Sequence, residues 1–151
     1  MYQRILVAVD GSATSDRALD EAIALARDRQ ARLDIVYVVD EVVIYSGAQF
    51  PAQSELEDQW VKTGHEILNK AHDKAREQGI AVEVRLLETE TLGEGIAEAI
   101  AEEAKSWAAD IVVAGTHGRT GLKHLLMGSV AEGIVRSSPT PVLLVHHAEG
   151  A

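Results

Sequence analysis

The residues with the clearest capacity for chemistry lie between positions 115 and 129, where the chain reads GTHGRTGLKHLLMGS. Four glycines fall within this stretch, directly after the apolar run Asp110-Ile-Val-Val-Ala114. Glycine costs backbone entropy and packs no side chain, so its repeated use indicates a geometric requirement. That requirement is either a tight turn between a strand and a helix or a backbone left bare for a ligand.

The glycines follow a definite spacing, Gly115-x2-Gly118-x9-Gly128-Ser129. This is neither the G-x-G-x-x-G of dinucleotide folds nor a phosphate-binding G-x-x-x-x-G-K-[ST] loop, because a leucine rather than a glycine precedes Lys123. Gly115 and Gly118 can adopt positive φ and permit close approach, so successive backbone amides there can form a concave anion site.

The end of the stretch, Gly128-Ser129-Val130, opens a predicted helix. The unpaired N–H groups and the dipole at a helix N-terminus favour phosphate. Ser129 can cap this helix or donate its hydroxyl to a phosphate oxygen. The glycines alone support a simple turn and an anion site equally well, and both interpretations stay open at this point.

Five short apolar runs alternate with longer segments of helical periodicity, and each run predicts a strand. The predicted strands are Ile5–Val9, Leu33–Val39, Ala81–Leu87, Ile111–Ala114 and Val142–Val145. The apolar positions of the four intervening helices are Ala18, Leu19, Ala22, Ile23 and Ala26; Trp60, Ile67, Leu68, Ala71 and Ala75; Ile96, Ile100, Ala104 and Trp107; and Val130, Ile134 and Val135. In the third helix, the glutamates are expected on the face opposite the apolar residues.

This alternation predicts an α/β fold, a single doubly wound domain whose five-stranded parallel sheet has helices on both faces. The third strand alternates apolar residues with Glu83 and Arg85, which is typical of an edge strand. In such sheets, ligands bind beyond the carboxyl ends of the strands. The residues to weigh are therefore Asp10 after the first strand, Asp40 after the second, and the glycine-rich stretch after the fourth.

The charge balance narrows the range of partners. The chain has 24 acidic and 14 basic residues, a net charge of −10, which disfavours binding to nucleic acids. The chain has no cysteine, and none of its apolar runs approaches the roughly 18 residues that a membrane span needs. The first predicted strand begins so early that it leaves no room for a signal peptide. We therefore expect a cytoplasmic protein. The six histidines show no metal-ligand spacing, and no metal site formed by the protein is expected.

Two segments together resemble the universal stress protein family: ILVAVDGS near the start and GTHGRTGLKHLLMGSVAEGIVRSSPTPVLLV near the end. The five-fold strand–helix order between them fits the same family. Members that carry G-x2-G-x9-G-[ST] resemble ATP binders, and this chain has every position of that motif. The resemblance implies a domain over residues 1–147 with a short tail at 148–151, and a strand order of 3-2-1-4-5.

The resemblance also implies which residues contact the nucleotide. Gly115, Gly118, Gly128, Ser129 and Val130 would surround the ribose and phosphates, Asp10 would hold the ribose hydroxyls, and Ala8 and Val38 would line the adenine slot. The alternative for Asp10 is that it only caps the turn into the first helix. Nothing carries over to the connection from Asp40 to Ser54, which is either a lid or a surface loop.

The implied ligand is ATP or another adenine nucleotide, with Mg²⁺ or Mn²⁺ on its phosphates. The implied role is regulatory: a stress-response homodimer, paired through the last strand from Val142 to Val145, that acts on an unidentified protein partner. That strand has no internal proline or inward charge to discourage edge pairing. The alternative is a slow ATPase or phosphotransferase, for which His117 is the best available candidate base.

Two other families share the strand–helix order and fit less well. A response-regulator receiver requires an aspartate at the end of the third strand, where this chain reads Leu86-Leu-Glu-Thr-Glu90, and a lysine after the fifth, where it has His146. A flavodoxin carries its phosphate loop after the first strand, and DGSATSD lacks that pattern.

Overall fold

The computed structural model describes residues 1–39, 53–89, 95–117 and 127–146, with the backbone alone for 53–57. Strands and helices alternate along the chain throughout these ranges. The elements are β1 (Arg4–Ala8), α1 (Ala13–Arg29), β2 (Arg32–Val39), α2 (Gln53–Glu77), β3 (Ala81–Glu88), α3 (Ile96–Trp107), β4 (Ile111–Gly115), α4 (Ser129–Ser137) and β5 (Val142–Val145). Each predicted strand is present, and its limits agree with the prediction to within one residue.

The strands form one parallel sheet in the order β3-β2-β1-β4-β5. The predicted α/β fold and strand order are therefore confirmed. The alternating strand β3 lies at one edge of the sheet, as its sequence predicts, and β5 lies at the other. Because every strand is parallel, all carboxyl ends meet at the same edge, where ligands bind in folds of this kind.

Helices cover both faces of the sheet, and each face has its own hydrophobic core. On one face, α1 and α2 pack on alternate strand residues such as Ile5, Leu33 and Val113. On the other, α3 and α4 pack on the intervening residues, such as Leu6 and Val112. This double coverage explains why the central strands are apolar at nearly every position.

One expectation about α3 is wrong in part. Glu98 and Glu102 are exposed, but Glu103 lies toward the sheet with its side chain only 11% exposed. Its position explains this, because Glu103 is three residues after Ile100 and four before Trp107, both of which are buried. Helical geometry therefore places this glutamate beside the apolar stripe rather than opposite it.

Each described helix is too short or too polar, over the residues searched, to cross a membrane.

Candidate functional site

The turn between β1 and α1 is closed by the chain's own polar groups. The backbone N–H of Ser12 donates to Asp10 Oδ1 at 2.9 Å, and Gly11 between them has a φ of +85°, which suits glycine. Ser12 is the N-cap of α1, and its hydroxyl oxygen accepts from the N–H of Ser15 at 3.1 Å. Asp10 therefore shapes the turn into α1, which is one of the two roles that the sequence allows for it.

Ser15 completes this network from inside the first turn of α1. Its side chain is buried, its hydroxyl donates to the Ser12 carbonyl at 3.1 Å, and the same oxygen accepts from the N–H of Asp10 at 3.2 Å. The N–H groups of Ser12, Ser15 and Asp16 thus have acceptors within the protein. One carboxylate oxygen of Asp10 is engaged in the turn, and its position at the carboxyl edge is fixed.

Gly115 is the last residue of β4, and its glycine is required by packing. A Cβ atom at this position would lie 2.7 Å from Thr14 Cγ2 and 3.3 Å from the Thr14 carbonyl carbon. Gly115 therefore permits a close approach, here by helix α1. Its backbone does not use the positive φ that glycine also allows, since the positive-φ glycines among the described residues are Gly11 and Gly79. A residue that continues β4 keeps extended backbone.

Gly128 is the N-cap of α4, with extended backbone (φ −74°, ψ 166°) and no side chain to cap the helix. Its N–H donates to the Thr116 carbonyl at 2.7 Å, which ties the start of α4 to the end of β4. A Cβ on Gly128 would lie 3.3 Å from that same oxygen, so a side chain would strain the contact. Ser129 does not cap the helix, because it is the first residue inside it.

The start of α4 is accessible from solvent. Ser129 is exposed, and Val130 is 37% exposed. With a glycine at the N-cap, the first-turn N–H groups of α4 receive no side-chain acceptor of the kind that Ser12 supplies to α1. The helices of this parallel sheet all begin at this edge, and α3 also has a glycine N-cap, Gly95, without a side-chain hydrogen bond. Helix α4 is the one that follows the glycine-rich stretch, and its N-terminus can accept an external anion.

Ala8 and Val38 lie on the same face of neighbouring strands. Both are partly buried and pack against the core beneath α3 and α4. Ala8 pairs with Val36 in the register of β1 and β2, which places Val38 one step nearer the carboxyl edge. The two side chains thus provide an apolar surface on the α4 side of the sheet, next to the strand end that leads to Asp10.

Several residues highlighted by the sequence lie outside the described ranges. They are Gly118, Gly121, Lys123, His124 and residues 40–52 of the long connection, whose last two residues, Gln53 and Ser54, belong to α2. His117 is described, and its Nδ1 lies 3.2 Å from Thr116 Oγ1. Within the described ranges, no three histidine, aspartate or glutamate side chains are grouped so that they could hold a metal ion.

Sequence reasoning missed Thr14, Ser15 and Thr116 as parts of this region. Thr14 is the residue against which Gly115 packs. Thr116 acts through its backbone, since its N–H donates to Val145 at 2.9 Å and its carbonyl accepts from Gly128. A contact between distant segments or a backbone bond leaves no signal in residue type.

The contact between Gly115 and Thr14 can be tested directly. We expect Gly115→Ala to lower the free energy of unfolding by about 1–3 kcal/mol, the usual cost of overpacking. Adding Thr14→Ser removes the Cγ2 atom that the new methyl group meets and should recover much of the loss. Urea unfolding of the two single variants and the double variant measures this coupling. If Gly115→Ala lowers the free energy of unfolding equally with and without Thr14→Ser, the contact with Thr14 Cγ2 is not the reason for a glycine at position 115.

Comparison with known proteins agrees with this architecture. The family model described as the universal stress protein family matches residues 1–146. A universal stress protein of Bacillus subtilis is 34% identical over 96% of this chain and 99% of its own length. One from Methanocaldococcus jannaschii is 36% identical over 96% of this chain and 82% of its own length.

Solved structures share the fold over nearly the whole chain. A universal stress protein family member from Burkholderia pseudomallei is 37% identical, with a TM-score of 0.77 and 95% of each chain covered. A universal stress protein in complex with cAMP is 30% identical, with a TM-score of 0.67 over 97% of this chain and 98% of that one. One from Archaeoglobus fulgidus in complex with dAMP is 25% identical, with a TM-score of 0.71 over 95% and 98%. From its fold and from these matches, the chain belongs to the universal stress protein family.

Proposed function

We propose that this protein binds an adenine nucleotide, ATP foremost, at the carboxyl edge of the sheet and acts as a cytoplasmic regulatory protein of the stress response. The observation that carries the proposal is the start of α4. Its glycine N-cap supplies no side-chain acceptor to the first-turn amides, and the bond from Gly128 to Thr116 holds them at the end of β4. In a protein of net charge −10, such amides supply the local positive field that a phosphate needs.

The remaining contacts follow from what surrounds this helix end. Asp10 offers a carboxylate to the ribose hydroxyls. The hydrogen bond from the Ser12 N–H to Oδ1 already holds this carboxylate in position at the carboxyl edge. Ala8 and Val38 offer an apolar surface for the adenine ring on the same face of the sheet as α4. Gly115, Gly118, Ser129 and Val130 complete the set of proposed contacts. Mg²⁺ or Mn²⁺ would then be held by the phosphates of the nucleotide.

Two relatives support an adenine nucleotide as the ligand. The cAMP complex and the dAMP complex are of universal stress proteins that share this fold over nearly the whole chain. Both ligands contain adenine, a five-membered sugar and one phosphate group. The glycine motif of this chain, with Gly128 and Ser129 at its end, provides donors suited to a triphosphate.

We expect ATP to bind at least about tenfold more tightly than adenosine, because only ATP brings anionic phosphates to the start of α4. Calorimetric titration of the purified protein with ATP, AMP, cAMP and adenosine, with and without Mg²⁺, measures this difference. The nucleotide released when freshly purified protein is denatured identifies the ligand that it retains. Absence of binding at millimolar ATP would refute the proposal. Sustained release of phosphate above background would instead favour the slow ATPase or phosphotransferase alternative.

The role of Asp10 can be separated from its role in the turn. Asp10→Asn keeps a side-chain oxygen for the N–H of Ser12 but removes the charge, so we expect a normal fold and about tenfold weaker ATP binding. Omission of both ribose hydroxyls, as in 2′,3′-dideoxy-ATP, should weaken binding to the natural chain and have little further effect on the variant.

Asp16→Asn is the matched control for this variant, since Asp16 is exposed in the first turn of the same helix. Its ATP affinity should stay within about twofold of the natural value. Equal losses in Asp10→Asn and Asp16→Asn would indicate a general charge effect and would exclude a specific contact with the ribose.

We also propose that two copies of the chain pair through β5. The carbonyl of Pro141 accepts from the N–H of Val112 in β4 at 3.0 Å, and the carbonyl of Val145 accepts from the N–H of Thr116, just after β4, at 2.9 Å. Because these bonds alternate along a strand, the N–H and C=O groups of the intervening residues Val142 and Leu144 point away from β4. They form an edge to which the same strand of a second copy can add in antiparallel orientation.

We expect Leu143→Asp to shift the protein from dimer to monomer. Leu143 is 38% exposed at the middle of this short strand, so a two-fold antiparallel pair would bring the two introduced carboxylates together. Analytical ultracentrifugation over a concentration series measures the change. Ala81→Asp adds the same charge on the opposite edge strand and should leave the dimer intact. A natural chain that is monomeric at all concentrations tested would rule out this pairing.

A further inference from the structure

Strand β2 carries a fully buried carboxyl group on the face that packs against α3. Asp34 has 0% exposure, and its neighbours in strand register are Leu6 and Glu83. Neither of its carboxylate oxygens has a hydrogen-bond donor among the described residues. A buried acceptor without a donor is costly, so this position requires an explanation. It lies in the half of β2 nearer its amino end, away from the proposed nucleotide site.

The charged groups around Asp34 come from β3 and α3. From α3, Glu103 places Oε2 at 2.9 Å from Arg85 Nε, although outside hydrogen-bond geometry. From β3, Arg85 Nε also lies 3.8 Å from Asp34 Oδ1, and a terminal nitrogen of Arg85 lies 3.3 Å from Glu83. Glu83 in turn pairs with Arg32 at 3.0 Å. The cluster therefore contains three carboxyl groups and two guanidinium groups.

One proton balances this cluster. Arg32 and Arg85 can neutralise two carboxylates, which leaves one negative charge if all three acids are ionised. Asp34 is the acid that keeps the proton, because burial, a hydrogen bond with Glu103 and the negative charge of Glu103 together raise its pKa to about 8. Arg85 opposes this shift from its half-exposed position. A protonated Asp34 donates to Glu103 and supplies the donor that the pair otherwise lacks.

We propose that Asp34 and Glu103 hold one shared proton in the folded protein, and that this proton couples the packing of α3 on the sheet to pH. Glu103 belongs to α3, and Asp34 to the sheet beneath it. When the proton leaves, the sheet and the helix each carry a carboxylate at this interface, and the half-exposed guanidinium of Arg85 is the cation close to both. Repulsion then acts directly between the helix and the sheet.

The direction of the pH dependence follows from the raised pKa. Asp34 has an ordinary pKa of 3.8 in the unfolded chain and a pKa of about 8 in the folded protein. The folded state therefore holds a proton that the unfolded state releases. The resulting stabilisation is fully present below pH 3.8 and is lost as the pH rises through about 8.

We expect Asp34→Asn to remove this dependence, since its amide cannot ionise and can still donate to Glu103. Relative to the natural chain, the variant's unfolding equilibrium constant should fall by up to about tenfold per pH unit as pH rises from 5 to about 8. Urea unfolding at half-unit pH intervals measures the two slopes. Glu102→Gln removes an exposed carboxylate from the same helix and should keep the natural slope. Parallel slopes for the natural chain and Asp34→Asn would overturn the proposal.

A second measurement does not depend on any variant folding. Infrared spectra of the natural protein in D₂O should show the C=O stretch of a protonated carboxyl at neutral pH, and that band should vanish near pH 10. Hydrogen exchange, corrected for its intrinsic pH dependence, should show α3 losing protection over the same range while α1 keeps it. Absence of the carboxyl band at neutral pH would overturn the proposal. A greater free energy of unfolding in K⁺ than in tetramethylammonium, at the same ionic strength, would also overturn it, because a bound cation would then take the place of the proton.

Discussion

The carbonyl oxygen of Thr116 accepts a hydrogen bond from Gly128, and the geometry of the candidate site depends on this bond. The chain leaves the sheet after β4 and returns to begin α4, and the bond fixes the helix start against the strand end. Through its N–H, the same residue also holds Val145 at the end of β5. One backbone unit thus joins β4, β5 and α4. Because these are peptide groups, the arrangement needs no particular side chain at position 116, but it leaves little space for one at position 128.

Residue pattern alone predicts most of this fold. The apolar runs place every strand within one residue, since strands covered on both faces have few polar positions. Glu83 and Arg85 identify β3 as an edge strand for the same reason. Sequence reasoning missed Asp34, although it is a lone acid in an apolar strand, and it placed the glutamates of α3, including Glu103, opposite the apolar face. The helical spacing from Ile100 and Trp107 contained that information.

The candidate site is less predictable, because its main contacts join segments that are far apart in the sequence. Gly115 signals that something comes close, and the sequence cannot say that the neighbour is Thr14 rather than a ligand. Similarly, the sequence leaves open whether Gly128 or Ser129 is the N-cap of α4. The choice is made by the bond to Thr116, which draws the chain into extended backbone at Gly128.

The proposed proton site and the proposed phosphate site belong to one packed pair of helices. Glu103 lies in the second half of α3, and Ala97 at the start of α3 contacts Gly133 of α4 so closely that an added Cβ on Gly133 would lie 2.5 Å from Ala97 Cβ. Such a contact has no flexible side chain to absorb a shift of either helix. Repulsion at Glu103 would therefore act on a helix whose other end packs tightly against α4. In contrast, α1 and α2 lie on the opposite face, where the sheet separates them from this pair.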